Sequence, residues 1–335
     1  METTAIDVGF GRVKSVTERG EVDFPSVIGD FHPVSYKVED NKDHTVVQMN
    51  GTPFFVGEIA RRQSIPRSTL DAERIVGTEG LTLLYASLSK MYKPGKHYIN
   101  LVTGLPVNDF DTLKEKYKNI LQQSRMYFKT LTIDGEINGN YVFHINNSMI
   151  IPQPMGSLFD KLLDNNGEIK HKDYALQQVG VIDIGFHTLD LLRADNLEYI
   201  DRSSDSFRDL GLFSAFEEVR KELYKDFQIE IPLEKIEPII YKNGHITIKG
   251  KKESISTTKQ KAFDQAADRI ISRVKNTWKN LWEIDKLIIT GGGATLLGEQ
   301  IVNKLNHHGT EICNNDNIYT NVKGYYKFGV RSWKG

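Results

Sequence analysis

The sequence predicts an α/β fold built from two similar halves. Strand-like and helix-like segments alternate along the 335 residues, which is the pattern of α/β proteins. The segments AIDVGFGRVKSV and VIDIGFHTLDLL also echo each other. Aligning Asp7 with Asp183, an offset of 183 − 7 = 176 residues, places Gly9 on Gly185. We therefore expect each half to open with the same kind of hairpin; a chance match over a short segment is the alternative.

Composition and charge narrow the class of protein. Hydrophobic residues make up 39% and charged residues 26% of the chain, which is normal for a globular protein. Lys and Arg number 43 and Asp and Glu 44, so the net charge is −1 and direct nucleic-acid binding is not expected beyond a local basic patch. Cys313 is the single cysteine, which excludes an internal disulfide and fits a reducing cytoplasm. No apolar run reaches the ~18 residues of a membrane span, and Asp7 interrupts any signal peptide.

In the first half, each element follows from apolar periodicity and turn residues. The first hairpin has an Asp-x-Gly turn after an apolar run, with glycine expected to supply a positive φ. The later elements are two strands around the Asn50-Gly51 turn, a helix from about Asp71 to Met91, a buried strand from Tyr98 to Thr103, an amphipathic helix from Asp111 to Gln123, and strands around Leu131 and Tyr141.

The second half opens with the loop-to-helix segment PQPMGSLFDKLL and the second hairpin. The later elements are a helix from about Leu212 to Tyr224, a hairpin in IIYKNGHITIKG, an amphipathic helix from Ala262 to Trp282, and a strand, glycine turn and helix in DKLIITGGGATLLGEQIVNKL. No low-complexity linker separates the halves, and the domain boundary is expected near Ile150.

Both hairpin segments carry residues suited to a nucleotide phosphate. In DVGFGRVK, glycines would let backbone N–H groups approach phosphate oxygens, Lys14 would offset phosphate charge, and Asp7 would hold Mg²⁺ through water. An ordinary hairpin with a solvated lysine is the equal alternative. In DIGFHTLD, Asp183 is a second carboxylate and Thr188 supplies a hydroxyl. Two facing carboxylates repel each other, and a cation between them would remove that cost. Asp190 is either part of this site or a structural turn carboxylate.

Two further segments complete the candidate site. The glycine run from Gly291 lies between a strand and a helix, where it favours a bound ring or phosphate or only a tight turn. Gln153, in IPQPMGSL, is a further candidate, because a glutamine near a terminal phosphate can orient an attacking water, as in other nucleotide hydrolases, although a lone glutamine is unremarkable. His187 fits a polar loop residue better than a general base.

In this order the segments resemble the superfamily of actin, sugar kinases and heat-shock chaperone ATPases. Within it, the chain resembles the ParM-type plasmid-segregation actins and the related archaeal actins, on DIGFHTLD, FFVGEIARR, LVTGLPV and YTNVKGYYKFG. The resemblance covers most of the chain and implies an actin-like, ribonuclease H-like duplicated fold with two domains around a nucleotide cleft. Domain I would span 1–150, with an inserted subdomain at about 30–95. Domain II would span 151–320, and a C-terminal segment, 321–335, would return to domain I.

The resemblance also implies the roles of individual residues. Asp7 and Asp183 would be the metal ligands and, with Gln153, the catalytic residues. The two phosphate loops, the adenosine loop and the helix GLFSAFEEVRKEL would supply the nucleotide-binding residues Gly9, Phe10, Gly11, Lys14, Gly185, Phe186, His187, Thr188, Glu217, Arg220, Gly291, Gly292 and Gly293. For Glu217 and Arg220, a solvated helix face is an equal alternative.

Three residues depart from the family's pattern. Phe10 stands where many actins carry a small hydroxyl residue, so backbone donors must replace that hydroxyl at the terminal phosphate. Phe186 and His187 replace small residues in the second loop, which must bend differently or turn both side chains away. These departures bear on the rate of hydrolysis rather than on nucleotide binding.

The resemblance implies a cytoplasmic, filament-forming ATPase that uses ATP, with GTP as an alternative, together with Mg²⁺. Its role would be plasmid or other DNA segregation, or another cytoskeletal task. Its partners would be copies of itself, stacked head-to-tail, and an adaptor protein that binds DNA; no membrane contact is expected. A small-molecule kinase of the same fold would need an Asp base where Gln153 stands. A non-hydrolysing actin-like scaffold is a further alternative, and a chaperone is disfavoured because little sequence follows the adenosine loop.

Overall fold

The computed structural model describes residues 1–34, 44–67, 73–122, 125–241, 244–313 and 318–334. Contacts between Cα atoms divide the chain into two compact units, Met1–Leu176 with Tyr319–Gly335 and Gln177–Ile318. Ile150, the expected boundary, lies inside the last strand of the first unit. The assignment of two actin-like domains and an inserted subdomain to particular residues stays a prediction.

The first unit is built on one mixed sheet. The strands of its described residues are β1 (Glu2–Val8), β2 (Arg12–Thr17), β3 (Gly20–Pro25), β4 (Ile28–Asp30), β5 (Thr45–Met49), β6 (Thr52–Val56), β7 (Gly95–Leu105), β8 (Met126–Leu131) and β9 (Ile137–Pro152). Their order across the sheet is β3-β2-β1-β7-β9-β8-β5-β6-β4. β1 pairs antiparallel with β2 and parallel with β7, so it lies in the interior of the sheet.

The second unit repeats this arrangement. Its described strands are β10 (Gln178–Ile184), β11 (Thr188–Asp195), β12 (Glu198–Tyr199), β13 (Asp205–Arg208), β14 (His245–Ile248), β15 (Lys251–Ser254), β16 (Lys286–Thr290) and β17 (Thr310–Ile312). β10 pairs antiparallel with β11 and parallel with β16, as β1 does with β2 and β7. The main sheet has the order β12-β11-β10-β16-β17, with β13 also paired to β11, and β14 and β15 form a separate hairpin.

Helices pack on these sheets. Those of the described residues are α1 (Glu58–Gln63), α2 (Glu73–Val76), α3 (Thr78–Met91), α4 (Phe110–Leu121), α5 (Met155–Leu162), α6 (Asp173–Leu176), α7 (Leu212–Phe227), α8 (Leu233–Tyr241), α9 (Ser256–Thr277), α10 (Ala294–Leu305) and α11 (Thr320–Ser332). Within the described part of the chain, none of them combines the length and the apolar composition that crossing a bilayer requires.

Strand β1 is buried on both of its faces. Ile6 packs in the apolar cluster that includes residues of α3. Ala5 packs in a second cluster with Val322 and Tyr325 of α11. Because side chains alternate along a strand, Asp7 shares the face of Ala5 and therefore the side of the sheet on which α11 packs.

The predicted echo between the halves is confirmed at the level of strand register. Asp7 pairs with Lys14 across the first hairpin, and Asp183 pairs with Asp190 across the second. The two pairs are related by the same offset of 176 residues that aligns the sequences. The two halves therefore place equivalent residues at equivalent points of equivalent hairpins.

The glycines of these two turns have a different role from the one predicted. Neither Gly9 nor Gly185 has a positive φ, so that prediction is wrong. A Cβ at Gly9 would lie 3.0 Å from the Arg12 oxygen, and a Cβ at Gly185 would lie 3.1 Å from the Thr188 oxygen. Glycine is needed because the two strands approach closely at the turn, not because the backbone is left-handed.

Other predicted elements of the first unit are present with shifted bounds. The Asn50-Gly51 hairpin is confirmed, with a positive φ at both turn residues. The helix predicted to begin at about Asp71 is interrupted: α2 and α3 are separate because Gly77 between them is extended. Asp71 and Gln123, the bounds predicted for two helices, lie outside the described residues.

Two predictions for the second unit are wrong in their bounds. Helix α9 ends at Thr277 instead of Trp282, and the buried Trp278 donates its indole N–H to the Ser203 oxygen at 2.7 Å. The hairpin predicted within IIYKNGHITIKG turns at Lys249-Gly250, where both residues have a positive φ. The apolar start of that segment belongs to α8.

Candidate functional site

Asp7, near the end of β1, is held by two side chains. The hairpin register places Lys14 directly opposite, and the Lys14 Nζ lies 3.2 Å from Asp7 Oδ2. Gln153 donates from Nε2 to Asp7 Oδ1 at 3.1 Å. Asp7 is 3% and Gln153 8% exposed, so these charge-assisted contacts are sheltered from water, which strengthens them. Three residues that the sequence indicated separately therefore form one cluster.

Gln153 is fixed through its backbone as well as its side chain. It follows directly after β9, which runs parallel to β7. Its N–H donates to the Leu105 oxygen at 2.9 Å. Its carbonyl oxygen accepts a hydrogen bond from the Tyr325 hydroxyl at 3.1 Å. Tyr325 belongs to α11, so this C-terminal helix helps to place the glutamine beside Asp7.

Gly104 leaves the space that this packing requires. A Cβ at Gly104 would lie 2.2 Å from the Tyr325 hydroxyl oxygen and 2.8 Å from Cγ of Gln153. Both distances are far below the 3.5–4.0 Å at which non-bonded heavy atoms normally pack. Only a hydrogen atom fits at that position of β7.

The glycine turn after β1 is anchored through its carbonyl groups. The Gly9 oxygen accepts from Arg74 Nη2 at 2.9 Å, and the Gly11 oxygen accepts from the Ser26 N–H at 3.0 Å. The Arg74 guanidinium lies 4.9 Å from the centre of the Phe10 ring, within the range of a cation–π contact. Phe10, one of the predicted departures from the family's pattern, therefore has a structural partner.

Arg74 and Glu79 form an ion pair beside this turn. Arg74 Nη1 lies 2.6 Å from Glu79 Oε1, and both side chains are largely buried. Burial lowers the pKa of Arg74 and raises the pKa of Glu79, and in each case the charge of the partner opposes the effect of burial. Since a guanidinium does not deprotonate in proteins, Glu79 compensates a permanent buried charge.

The second hairpin brings two carboxylates together. Asp183 lies opposite Asp190 across the ladder, and both are buried. Thr188 donates from Oγ1 to Asp190 Oδ2 at 3.1 Å, a contact that also suits a structural carboxylate. Like charges directly opposite each other destabilise a sheet, and a nearby cation would reduce that cost. In the first hairpin, the position equivalent to Asp190 is occupied by Lys14.

The two bulky residues of the second turn pack against aromatic side chains. The centre of the Phe186 ring lies 6.2 Å from that of Phe213 and 6.0 Å from that of Phe216. The His187 ring lies 4.7 Å from Phe213, between ring centres. Of the two ways to accommodate these residues, the loop thus turns the side chains into the unit. This packing favours a loop role for His187 over a general base.

The glycine turn after β16 lies against the end of β10. Gly291 has a φ of +84°, and a Cβ there would lie 2.3 Å from Asp183 Oδ1. Gly293 donates its N–H to the Ile184 oxygen at 2.8 Å. Gly292 is more open, because the atom nearest to its Cβ position is 3.6 Å away. The structure therefore brings Asp183 and the glycine turn together; contact of this turn with adenosine stays a prediction.

Glu217 and Arg220 lie one turn apart on α7. Arg220 Nη2 is 2.8 Å from Glu217 Oε2, and the hydrogen bond and charge of Glu217 raise the pKa of Arg220. Arg220, Tyr224 and Ile229 also line a cavity of about 290 Å³. Their predicted contact with a base or ribose stays a prediction, and the ion pair suits the solvated-face alternative equally.

Within the residues that the structure describes, no group of three or more His, Cys, Asp or Glu side chains is arranged to hold a metal ion by itself. A metal ion bound at Asp7 or Asp183 would have that carboxylate as a ligand, with phosphate and water as further ligands. Mg²⁺ commonly binds in this way, through one or two carboxylates. The carboxylates that are present fit that ion.

Three residues around the first cluster were not among the predicted site residues: Arg74, Gly104 and Tyr325. Arg74 is 65 residues from Gly9, and Tyr325 is 172 residues from Gln153, so no local periodicity connects them. Gly104 carried a usable signal, because a glycine inside a strand-like run often marks a close approach of another group.

Family models match both parts of the chain that contain these clusters. Residues 5–156 match the model described as actin like proteins N terminal domain. Residues 181–303 match the model described as archaeal actin homologue MreB-like, C-terminal. This chain is an actin-like protein. The predicted resemblance to ParM-type and archaeal actins and the predicted actin-like α/β fold are confirmed.

Solved structures share the fold of this actin-like protein along nearly its whole length. An archaeal actin homologue in complex with ADP has a TM-score of 0.80 at 21% identity, over 99% of this chain and 100% of that one. A 15-stranded ParM filament from Clostridium botulinum has a TM-score of 0.76 at 23% identity, over 98% of each chain. Bacillus thuringiensis ParM with AMPPNP has a TM-score of 0.72 at 18% identity, over 97% of each chain. No curated protein matches the actin-like protein.

Proposed function

We propose that this actin-like protein is an ATPase that binds Mg-ATP and assembles into filaments. The observation that carries the proposal is the Asp7 carboxylate held between Lys14 and Gln153, at 3.2 and 3.1 Å. A carboxylate, a lysine and a glutamine beside a glycine turn are among the groups that enzymes use for phosphoryl transfer. Membership in the actin-like family supports their assignment to one reaction.

The first turn is suited to binding phosphate. Lys14 is partly accessible, with 18% of its side chain exposed, so its ammonium can interact with phosphate oxygens as well as with Asp7. The carbonyl groups of Gly9 and Gly11 are bound by other parts of the unit. This anchoring limits the movement of the turn, and a pre-organised turn binds an anion with less loss of entropy.

Gln153 is suited to positioning a water molecule. An amide is neither an acid nor a base at neutral pH, so its contribution to hydrolysis would be orientation of the attacking water. The contacts of Gln153 with Asp7, Leu105 and Tyr325 fix both its side chain and its backbone. A rigid support of this kind is what a positioning group needs.

The charges of the two hairpins support a metal-bound nucleotide. When bound, Mg²⁺ would neutralise phosphate charge, and Asp7 and Asp183 would hold it, in part through water. A nearby positive charge would reduce the repulsion between the opposed carboxylates of Asp183 and Asp190. That Asp7 and Asp183 act on the same bound nucleotide is part of this proposal. ADP and AMPPNP in the structures of two relatives support an adenine nucleotide, with GTP as the alternative to test.

Polymerisation is the second part of the proposal. The relative from Clostridium botulinum was solved as a filament, and subunits that stack head-to-tail form open filaments because the contact is heterologous. Similarity to ParM proteins supports a cytoplasmic role in DNA segregation. The net charge of −1 favours DNA attachment through an adaptor protein over direct binding.

Light scattering and electron microscopy after addition of nucleotide test polymerisation. We expect scattering to rise and filaments to appear with Mg-ATP, and neither to occur with ATP and excess chelator. Mg-GTP in a parallel sample determines the preferred base. Phosphate release measured in the same samples separates an ATPase from a non-hydrolysing scaffold, which would form filaments without releasing phosphate. Absence of both filaments and phosphate release would refute the proposal.

Substitution of Asp183 tests the site assignment. Asp183→Ala should abolish Mg-ATP hydrolysis while circular dichroism shows an intact fold. Asp195→Ala, at the far end of β11, is the matched control and should hydrolyse ATP at the unmodified rate. Unchanged turnover in Asp183→Ala would remove Asp183 from the site.

A further inference from the structure

Arg74 is a buried cation whose contacts converge on the first glycine turn. It is 6% exposed. Its Nη2 donates to the Gly9 oxygen and to Ser26 Oγ, both at 2.9 Å. Its Nη1 donates to Glu79 at 2.6 Å. An arginine with a carboxylate partner, a main-chain partner and a hydroxyl partner is held in a single orientation, because its planar fork fixes all of these directions together.

The same guanidinium also holds the side chain of the turn. The Phe10 ring centre lies 4.9 Å from the guanidinium carbon. A cation–π contact is strongest when the cation has lost its water, and Arg74 is buried. Phe10 and Gly9 are adjacent, so one residue outside the turn restrains both its backbone and its central side chain.

These contacts set the direction of the N–H groups of the turn. In a planar trans peptide, the C=O of one residue and the N–H of the next point in opposite directions, and no cis peptide occurs among the described residues. The bond from Arg74 to the Gly9 oxygen therefore aims the Phe10 N–H away from Arg74. Ser26, which Arg74 also contacts, donates its N–H to the Gly11 oxygen, so the Arg12 N–H is aimed away from Ser26 in the same manner.

We propose that Arg74 is a positioning residue for nucleotide binding, which directs the Phe10 N–H of the Gly9–Gly11 turn towards the phosphates through the Gly9 carbonyl and the Phe10 ring. The inference rests on the proposed function, because it concerns the same turn. Arg74 acts by orientation and not by its charge, since Glu79 compensates that charge. Phe10 thereby takes part in phosphate binding through the shape of the turn, although it has no hydroxyl.

Arg74→Lys tests the proposal, because it keeps the charge and removes the planar fork. We expect its Kd for Mg-ATP, measured by titration calorimetry, to rise about tenfold or more, as expected for the loss of one or two such contacts. The titration is made at a temperature at which circular dichroism shows the variant to be folded. Hydrogen exchange of the peptide that contains residues 9–14 should become faster in the same variant without nucleotide.

Arg19→Lys is the matched control. Arg19 pairs with Glu2 and lies 4.9 Å from the centre of the Tyr92 ring, so it makes the same kinds of contact elsewhere in the same unit. Its substitution should leave the Kd for Mg-ATP within twofold of the unmodified value. Arg19 is half exposed whereas Arg74 is buried, so this control tests the Arg-to-Lys change itself, and the circular dichroism check on folding separates a general loss of stability from loss of turn orientation.

A second pair of variants keeps the test decisive if Arg74→Lys does not fold. Phe10→Leu removes the ring and should weaken Mg-ATP binding, whereas Phe10→Tyr retains the ring and should restore it. If Arg74→Lys folds and its Kd for Mg-ATP stays within twofold of the unmodified value, this inference alone is overturned. If Arg74→Lys does not fold, the same result in Phe10→Leu overturns it. No binding of Mg-ATP by the unmodified protein overturns the proposed function and this inference together.

Discussion

Gly104→Ala adds a single methyl group, and we expect it to lower the stability of the fold strongly. The new Cβ would lie 2.2 Å from the Tyr325 hydroxyl oxygen and 2.8 Å from Cγ of Gln153. The backbone at Gly104 has no positive φ, so alanine itself is allowed there. Any loss must therefore come from crowding between β7, Gln153 and α11.

The size of the effect follows from how far these groups must move. Relief of the closest contact requires a shift of more than 1 Å, because non-bonded heavy atoms pack at about 3.5–4.0 Å. Tyr325 is fully buried, so it cannot move into solvent. Insertion of a methyl group into a packed core typically costs about 1–3 kcal/mol, and we expect a loss of that size in the free energy of unfolding.

Urea unfolding followed by circular dichroism measures this loss, with Tyr325→Phe completing a double-mutant cycle. Tyr325→Phe alone should cost about 1 kcal/mol, because the Gln153 carbonyl loses its donor. The double variant should cost at least about 0.5 kcal/mol less than the sum of the single losses, since removal of the hydroxyl removes the closest of the new contacts and leaves those with Cζ of Tyr325 and Cγ of Gln153, both at 2.8 Å. Gly292→Ala, whose Cβ would meet its nearest atom at 3.6 Å, is the control and should change stability by less than about 0.5 kcal/mol.

Gln153 should also be displaced, so Gly104→Ala should release phosphate from ATP more slowly than the unmodified protein. An unfolding free energy within about 0.5 kcal/mol of the unmodified value in Gly104→Ala would refute the packing argument. Strictly additive losses in the cycle would show instead that the contact with the Tyr325 hydroxyl does not set the cost of the methyl group.

Three other substitutions test the two clusters. Gln153→Ala should slow phosphate release and leave the Kd for ATP within about tenfold, since water positioning acts mainly in the transition state; a larger loss of affinity, measured by calorimetry, would mean that Gln153 binds the ground-state nucleotide. Lys14→Met should lower the free energy of unfolding, measured with urea, by about 1–3 kcal/mol, because Asp7 keeps a buried charge without its cation, and it should also weaken ATP binding. An unchanged unfolding free energy together with an unchanged Kd for ATP would contradict the role of the Lys14–Asp7 pair. Gly291→Ala should cost about 1–3 kcal/mol in the same urea assay, because φ is +84° and the Cβ would lie 2.3 Å from Asp183 Oδ1; a stability equal to that of Gly292→Ala would contradict this.

Elements whose formation depends on residues nearby in the sequence were predictable. Both hairpins follow from an apolar run, a turn and a second run, and their registers obey the same 176-residue offset as the sequence echo. The Asn50-Gly51 turn is equally local, since both residues tolerate a positive φ. Helix ends were less predictable, because burial of Trp278 and its bond to Ser203 involve residues far away in the chain.

The composition of the first cluster was predictable, but its contacts were not. Residue types and turn chemistry indicated Asp7 and Lys14, the family resemblance indicated Gln153, and the hairpin register alone brings Lys14 opposite Asp7. Gln153 reaches Asp7 because β9 lies beside β7 and β7 lies beside β1. Sheet order is a tertiary property, and the sequence pattern of a single strand does not contain it.

By itself, the sequence determined the α/β class, the duplicated hairpins, the carboxylates and glycines of both turns, and the actin-like family. The tertiary structure alone decided that Arg74 binds the first turn and that Tyr325 and Gly104 position Gln153. It also decided that Phe186 and His187 pack inward. Turn residues act on adjacent residues and leave a local pattern. Contacts across 65 to 172 residues depend on the order of the strands and on the space between packed elements, which only the folded chain defines.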